Sequence, residues 1–165
     1  MKSSDHAPLT ELASAIQKKI NGKVTVIGVG NIIRGDDGLG PKLIELLRER
    51  QVNAGLIDCG TVPENYIFPI LETGCETVII VDAADIGMPP GTARVLGLDE
   101  IGNISFSTHN PSPRLFTDLL KTGRDAMEIF VVSVQPKSMT LGQKLSSEVQ
   151  AGLERLADAF SEVLK

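Results

Sequence analysis

Three short polar segments of the sequence carry side chains that could bind a metal ion or transfer protons. Asp36 and Asp37 stand together in the glycine-rich segment Gly30–Gly40, Asp82 follows an apolar run, and His109 lies further along the chain. Carboxylate oxygens and a neutral imidazole nitrogen suit Zn, Ni, Mn or Fe, and three protein ligands leave coordination positions open for chemistry. The residue types therefore favour a metal site, provided that the fold brings them together.

Each candidate also has a purely structural interpretation. Asp36 or Asp37 could cap the following helix or interact with the positive end of its dipole. Asp82 could accept backbone hydrogen bonds within a turn, and His109 could be a structural or solvent-facing histidine. The other histidine, His6, lies in a polar N-terminal segment and has no predicted role.

The elements that must position these residues follow from the apolar pattern. Short β-branched runs predict strands, and apolar residues at helical spacing predict helices between them. The predicted strands cover residues 23–29, 53–58, 77–82, 92–97 and 128–134. The predicted helices cover residues 9–20, a segment with Pro41 in its first turn, a short segment ending near Glu72, residues 113–121, and a C-terminal segment from Leu145 to Leu164. This alternation predicts the α/β class, a mainly parallel sheet sandwiched between two helical layers.

The organisation of the chain follows from the same pattern. We expect one domain over residues 1–165, with residues 1–22 as an additional N-terminal helix. The segment 92–97 is expected to pair antiparallel at a sheet edge, because the connection before it is too short for a crossover helix.

The predicted fold brings the three polar segments to one edge of the sheet. In open α/β sheets, ligands bind outside the carboxyl ends of the strands. Asp36 and Asp37 are predicted in the loop after the first strand, Asp82 at the end of the central strand, and Thr108-His109-Asn110 just before a helix. If all three residues had only structural roles, their position at the same edge would be a coincidence. The sequence therefore predicts a metal site there.

Composition excludes several other kinds of protein. The net charge of −5 and the absence of tryptophan argue against a nucleic-acid partner. No apolar stretch approaches the roughly 20 residues needed to span a bilayer, and the polar N-terminus lacks the core of a signal peptide. Cys59 and Cys75 are the only cysteines, and nothing suggests a secreted disulfide protein. We therefore expect a cytoplasmic protein with reduced thiols, and a monomer by default.

Familiar catalytic motifs are missing or incomplete. The segment beginning Gly28-Val29-Gly30 starts like a dinucleotide-binding fingerprint, with Asp58 placed like the ribose-binding acid, but Ile33 replaces the third glycine. The sequence contains neither a G-x-S-x-G elbow nor an H-E-x-x-H helix. A Cys–His pair through Cys59 is disfavoured, because the one plausible histidine is required at the predicted metal site.

Five motifs, in order, resemble those of the hydrogenase maturation endopeptidases. They are Gly30–Gly40 (GNIIRGDDGLG), Asp58–Asn65 (DCGTVPEN), Val81–Gly87 (VDAADIG), Ser107–Asn110 (STHN) and Ser133–Pro136 (SVQP). The resemblance runs from about residue 23 to residue 164. It departs from the family in its additional N-terminal helix and in Cys59, where relatives commonly have glycine.

The resemblance implies a five-stranded twisted sheet and an endopeptidase that trims the C-terminal extension from the large-subunit precursor of a nickel–iron hydrogenase. It implies a metal site formed by Asp37, Asp82 and His109, with Asp36 in a supporting role. The metal would be nickel already inserted in the precursor, or another divalent ion in the resting site. Either that metal or a carboxylate could activate water.

Two other classes of protein stay open. A non-catalytic, nickel-dependent assembly factor would bind the precursor without shortening it. A self-sufficient metallohydrolase would copurify with its metal and act without a protein partner.

Overall fold

The computed structural model of the protein describes residues 10–101, 105–106 and 113–165. The helices are α1 (Glu11–Gln17), α2 (Leu39–Glu49), α3 (Ile67–Glu72), α4 (Pro113–Gly123) and α5 (Ser147–Val163). The strands are β1 (Val24–Val29), β2 (Gly55–Gly60), β3 (Thr77–Asp85), β4 (Ala93–Leu96), β5 (Ser105–Phe106) and β6 (Glu128–Val134). Two 3-10 turns, Gly35–Gly38 and Pro63–Tyr66, precede α2 and α3.

The main sheet has the strand order β2-β1-β3-β6-β4. The first four strands in this order are parallel, and β4 pairs antiparallel with β6 at the edge. The mainly parallel five-stranded α/β fold and its antiparallel edge strand are therefore confirmed. In the part of the chain that the structure describes, no helix is long and apolar enough to cross a membrane.

Helices cover both faces of the sheet because successive strand residues point to opposite sides. On β3, Ile79 and Val81 pack into the core shared with α1, α2 and α5. Val78 and Ile80 pack on the other face, in the core shared with α3 and α4. Buried β-branched residues on both faces explain why these strands read as continuous apolar runs in the sequence.

The end of β3 differs from the prediction. The apolar run suggested a strand ending at Asp82, but β3 continues to Asp85. Its last residues pair antiparallel with β5, with Ala84 opposite Phe106. A two-residue strand carries no periodic signal, so the sequence did not reveal either β5 or the extension that it supports.

The N-terminal helix is shorter than predicted. Residues 9–20 have helical spacing, but α1 ends at Gln17. Ala13 and Ile16 are its buried residues, and the helix packs against α5 and β4. Its apolar face is thus covered by the protein's own elements.

Helix α2 lies unusually close to the sheet. A Cβ atom on Gly40 would stand 2.6 Å from the Val29 nitrogen and 2.7 Å from the Val81 carbonyl oxygen. Any side chain at this position would push the helix away from β1 and β3. Since α2 directly follows the 3-10 turn that carries Asp37, the glycine also fixes where that carboxylate lies.

Candidate active site

Asp37 is held in the 3-10 turn between β1 and α2. It is only 2% exposed, and its Oδ2 atom accepts a hydrogen bond from the Asn31 backbone N–H at 3.1 Å. Gly30 has φ +145°, and a Cβ there would collide with the Asp37 carbonyl oxygen. Glycine is therefore required where β1 ends, because the chain must turn tightly around the aspartate.

Asp82 lies within β3, on the face of the sheet that α3 and α4 cover. It is 3% exposed, and its Oδ1 atom has no hydrogen-bond partner among the described residues. Burial raises the pKa of Asp82 well above its ordinary value, and the neighbouring charge of Asp37 acts in the same direction. The backbone N–H of Ala83 has a smaller, opposite influence on this pKa. The structure thus brings two of the three predicted residues together as a buried acidic pair.

His109, the third predicted residue, lies outside the described residues, as do Thr108 and Asn110. After this segment, helix α4 packs through Phe116 and Leu120 on the face of the sheet to which Asp82 points.

Asp36 has a structural role that its neighbour does not share. It is fully buried, and Oδ2 accepts hydrogen bonds from the backbone N–H groups of Lys137 and Ser138 at 2.8 and 3.0 Å. The backbone N–H and the hydroxyl of Ser146 donate to the same carboxylate at 2.7 and 2.9 Å. Ser146 is also the N-cap of α5, with its hydroxyl accepting from the Val149 N–H.

Asp36 therefore ties the Asp37 turn to the β6–α5 loop and to the start of α5. These contacts differ from a metal ligand and from a cap for α2, and they agree with the supporting role that the family resemblance implied for Asp36. Asp36 and its partner Ser146 are 110 residues apart in the sequence. Spacing along a single sequence does not reveal such a contact.

Gln135 organises the loop after β3. Its Oε1 atom accepts hydrogen bonds from the backbone N–H groups of Ile86 and Met88 at 2.7 and 3.4 Å. The Gln-Pro pair at the end of β6 thus holds the chain that leaves β3 just beyond Asp82. The sequence marked this pair through its resemblance to a family motif, but gave no physical role for the glutamine.

The geometry agrees with the rejection of Cys59 as a nucleophile and gives Asp58 a local structural role. Cys59 is fully buried, and burial, with a contribution from the charge of Asp58, raises the pKa of its thiol to about 12. A thiol with that pKa is a poor nucleophile at neutral pH. Asp58 accepts from the Gly60 N–H at 2.9 Å and is exposed within β2, where it stabilises a local turn.

The acidic pair suits a cation or a proton. Two carboxylates that are buried together disfavour simultaneous ionisation unless a positive charge or an added hydrogen bond compensates them. Among the described residues, no cluster of three His, Cys, Asp or Glu side chains could hold a metal ion. A complete three-residue site therefore needs a ligand from outside the described ranges or from a bound partner.

Comparisons with known proteins agree with this fold. The family model described as hydrogenase maturation protease matches residues 39–163, a range that begins just after Asp37 and includes Asp82 and His109. The hydrogenase 3 maturation protease of Escherichia coli strain K12 is 34% identical over 128 residues, covering 76% of this chain and 81% of its own.

Solved structures give the same result. The [NiFe] hydrogenase maturation protease HycI from Thermococcus kodakarensis KOD1 superimposes with a TM-score of 0.79 at 26% identity, covering 90% of this chain and 97% of its own. The solution structure of the endopeptidase HycI from Escherichia coli gives a TM-score of 0.76 at 28% identity, covering 85% and 90%.

The fold and the sequence similarity together place the protein in the peptidase class. More narrowly, the chain belongs to the hydrogenase maturation protease family. The resemblance drawn from the five motifs is thereby confirmed.

Proposed function

We propose that the protein removes the C-terminal extension from the nickel-loaded large-subunit precursor of a nickel–iron hydrogenase. In this proposal Asp37, Asp82 and His109 recognise the nickel that the precursor carries. The observation that supports it most directly is the buried Asp37–Asp82 pair. The Asp82 Oδ1 atom has no hydrogen-bond partner among the described residues and can accept a cation or a water.

The ligand chemistry of the described residues fits a divalent metal. Carboxylate oxygens bind nickel and its neighbours in the transition series, and neutral imidazole is a favoured nitrogen ligand. A cation between Asp37 and Asp82 would compensate the two causes that raise the pKa of Asp82, its burial and the neighbouring charge of Asp37. When bound, such a metal would orient the precursor and polarise a carbonyl or a water.

The protein's own residues divide the remaining work. Burial and the neighbouring charge of Asp37 raise the pKa of Asp82, and a carboxylate with a raised pKa is a stronger base toward water. Asp37 is fixed through the Asn31 N–H and the tight turn at Gly30, so it would hold the substrate metal in place. Asp36 would hold the turn rigid through its hydrogen bonds to the β6–α5 loop, without contacting the substrate.

The surface beside the acidic pair suits a polypeptide substrate. Ile32, Ile33 and Leu141 are 61%, 57% and 67% exposed, on two loops joined by a hydrogen bond from the Gly142 N–H to the Ile33 carbonyl at 2.8 Å. Exposed apolar side chains on tethered loops can be covered by a protein partner at little cost in conformational entropy.

Substitutions at the proposed residues test this assignment. We expect Asp37→Asn, Asp82→Asn and His109→Ala each to lower cleavage of a nickel-loaded precursor by at least about 100-fold, because each removes a charge or a ligand at the reacting centre. The matched control is Asp58→Asn, at an exposed aspartate on β2, which should cleave at the wild-type rate. Wild-type cleavage by all three site variants would refute the ligand set.

The same experiment separates the alternative function. A non-catalytic, nickel-dependent assembly factor would form the complex with the precursor and leave its mass unchanged. Copurification of the wild-type protein with the precursor, without any shortening under conditions in which the precursor is correctly loaded, would favour that alternative.

A further inference from the structure

Ser133 lies directly beside Asp82 in the sheet. Strands β3 and β6 are parallel neighbours, and their register places Ser133 opposite Asp82. Neighbouring strands lie about 4.8 Å apart. Ile129 and Val131 of β6 pack in the core with α3 and α4, so Ser133, two residues further on, faces the same side as Asp82.

Both side chains carry a buried oxygen atom that has no partner in the part of the chain that the structure describes. Ser133 is fully buried, and neither its Oγ atom nor Asp82 Oδ1 makes a hydrogen bond to the residues that the structure describes. A buried hydroxyl without a partner destabilises a protein, whereas an apolar side chain of similar size would be tolerated at this position. The residues on either side of Ser133 in β6, Val132 and Val134, are both apolar.

Two adjacent unpartnered oxygens can bind the same small polar molecule. A carboxylate oxygen only accepts hydrogen bonds, whereas a serine hydroxyl can donate one and accept others. A water molecule between them can donate one hydrogen to Asp82 Oδ1 and form a second hydrogen bond with Ser133 Oγ. The two side chains therefore define both the position and the orientation of such a water.

We propose that Ser133 is a water-positioning residue of the hydrolytic site, and that its hydroxyl and Asp82 Oδ1 together bind the water that attacks the peptide bond. This inference rests on the proposed function. In the reaction the water oxygen bonds to the carbonyl carbon and the C–N bond breaks. One hydrogen of the water ends on the released amine and the other on the new carboxyl group, which loses it to solvent as a proton.

The proposal predicts a loss of rate and no loss of binding. A displacement of reacting groups by about 1 Å can lower a rate by about 100-fold. We therefore expect removal of the Ser133 hydroxyl to lower kcat by about 10- to 100-fold. KM and the affinity for the precursor should stay at the wild-type value, because the hydroxyl contacts the water and not the precursor's binding surface.

The test compares Ser133→Thr with Ser133→Val in the full-length protein. Threonine and valine have the same shape and burden the buried position equally, but only threonine retains the hydroxyl. Cleavage of nickel-loaded precursor is followed by mass spectrometry, complex formation by size-exclusion chromatography, and folding by thermal denaturation. Ser161→Ala is the control for loss of a serine hydroxyl away from the site, and it should cleave at the wild-type rate. The Ser161 hydroxyl donates to the Ala157 carbonyl at 2.8 Å within α5.

Rescue by threonine but not by valine, with both variants bound to the precursor, supports the proposal. Equal cleavage by the two variants would overturn it. If the larger side chains prevent folding, Ser133→Ala decides, since it adds no atoms: a wild-type rate overturns the proposal, and a loss of tenfold or more with intact binding supports it. Failure of the wild-type protein to cleave would refute the proposed function itself, which is a different outcome.

Discussion

Replacing Asp82 by asparagine should make the metal-free protein more stable at neutral pH, although it removes a residue of the proposed site. The side chain is buried beside Asp37, and both burial and that charge raise its pKa. Asparagine has nearly the same shape and carries no charge, so it removes the cost of ionising a buried carboxyl group. Functional residues are often retained at such a cost in stability.

The sign and size of the effect follow from proton linkage. The unfolded chain releases the Asp82 proton near its ordinary pKa of 3.8, whereas the folded protein holds it to a higher pH. Between these two values the folded state binds one more proton, so the free energy of unfolding falls as the pH rises. The slope for one proton is about 1.4 kcal/mol per pH unit, or about 3–6 °C in Tm for a chain of this size.

The assay is the difference in unfolding free energy between Asp82→Asn and wild type, measured by urea denaturation with a chelator from pH 4 to pH 8. Taking the difference cancels the titrating groups that do not interact with Asp82. A pH-independent offset from the asparagine amide would leave the slope unchanged. The free energy of unfolding of the variant should rise relative to that of the wild type as the pH rises, up to the folded pKa of Asp82. Above that pH the difference should stay constant.

Two results would bear directly on this reasoning. The same difference can be measured between proteins that both carry Asp37→Asn. It should then stop rising at a lower pH, because the substitution removes a charge that raises the pKa of Asp82. A difference that stays flat from pH 4 upward would show that Asp82 ionises normally in the folded protein and would refute the raised pKa of Asp82.

Three further predictions concern the residues around the pair. Asp36→Ala should destabilise the protein by about 3–5 kcal/mol in urea denaturation, since it leaves three backbone N–H groups without an acceptor; Asp58→Ala, at an exposed carboxylate, should cost under about 1 kcal/mol. Gly40→Ala should lower Tm by more than Gly38→Ala, because the added Cβ meets strand backbone at 2.6 Å in the first case and the Ile32 Cα at 3.1 Å in the second; equal shifts would contradict the close approach of α2. Cys59→Ala should leave cleavage of the precursor at the wild-type rate, since burial raises the pKa of the thiol to about 12, and a large loss of rate would reinstate a cysteine nucleophile.

The elements that the sequence predicted well are those with long, periodic apolar patterns. Strand β6 lies where the run 128–134 indicated, and the edge strand β4 is antiparallel as the short connection required. Parallel strands whose carboxyl ends meet at one edge placed Asp37 near Asp82 without any knowledge of distances. The prediction for His109 lies outside the described residues and stays a prediction.

The features that the sequence missed depend on contacts between distant segments. Asp36 and Asp37 are adjacent and chemically identical, yet Asp36 binds the β6–α5 loop, whereas the charge of Asp37 acts on Asp82. Only the three-dimensional path of the loop assigns these roles. The same holds for Ser133, whose significance comes from strand register, and for β5, which is too short to produce a pattern.

The most direct test of the central claim is the mass of a large-subunit precursor after incubation with the wild-type protein. The precursor is supplied in nickel-loaded and nickel-free forms, and both are followed by intact-mass spectrometry. We predict loss of a C-terminal peptide from the loaded form alone, because recognition requires the metal that Asp37 and Asp82 would bind. Cleavage of both forms at the same rate would contradict nickel recognition, and cleavage of neither would contradict the proposed protease function.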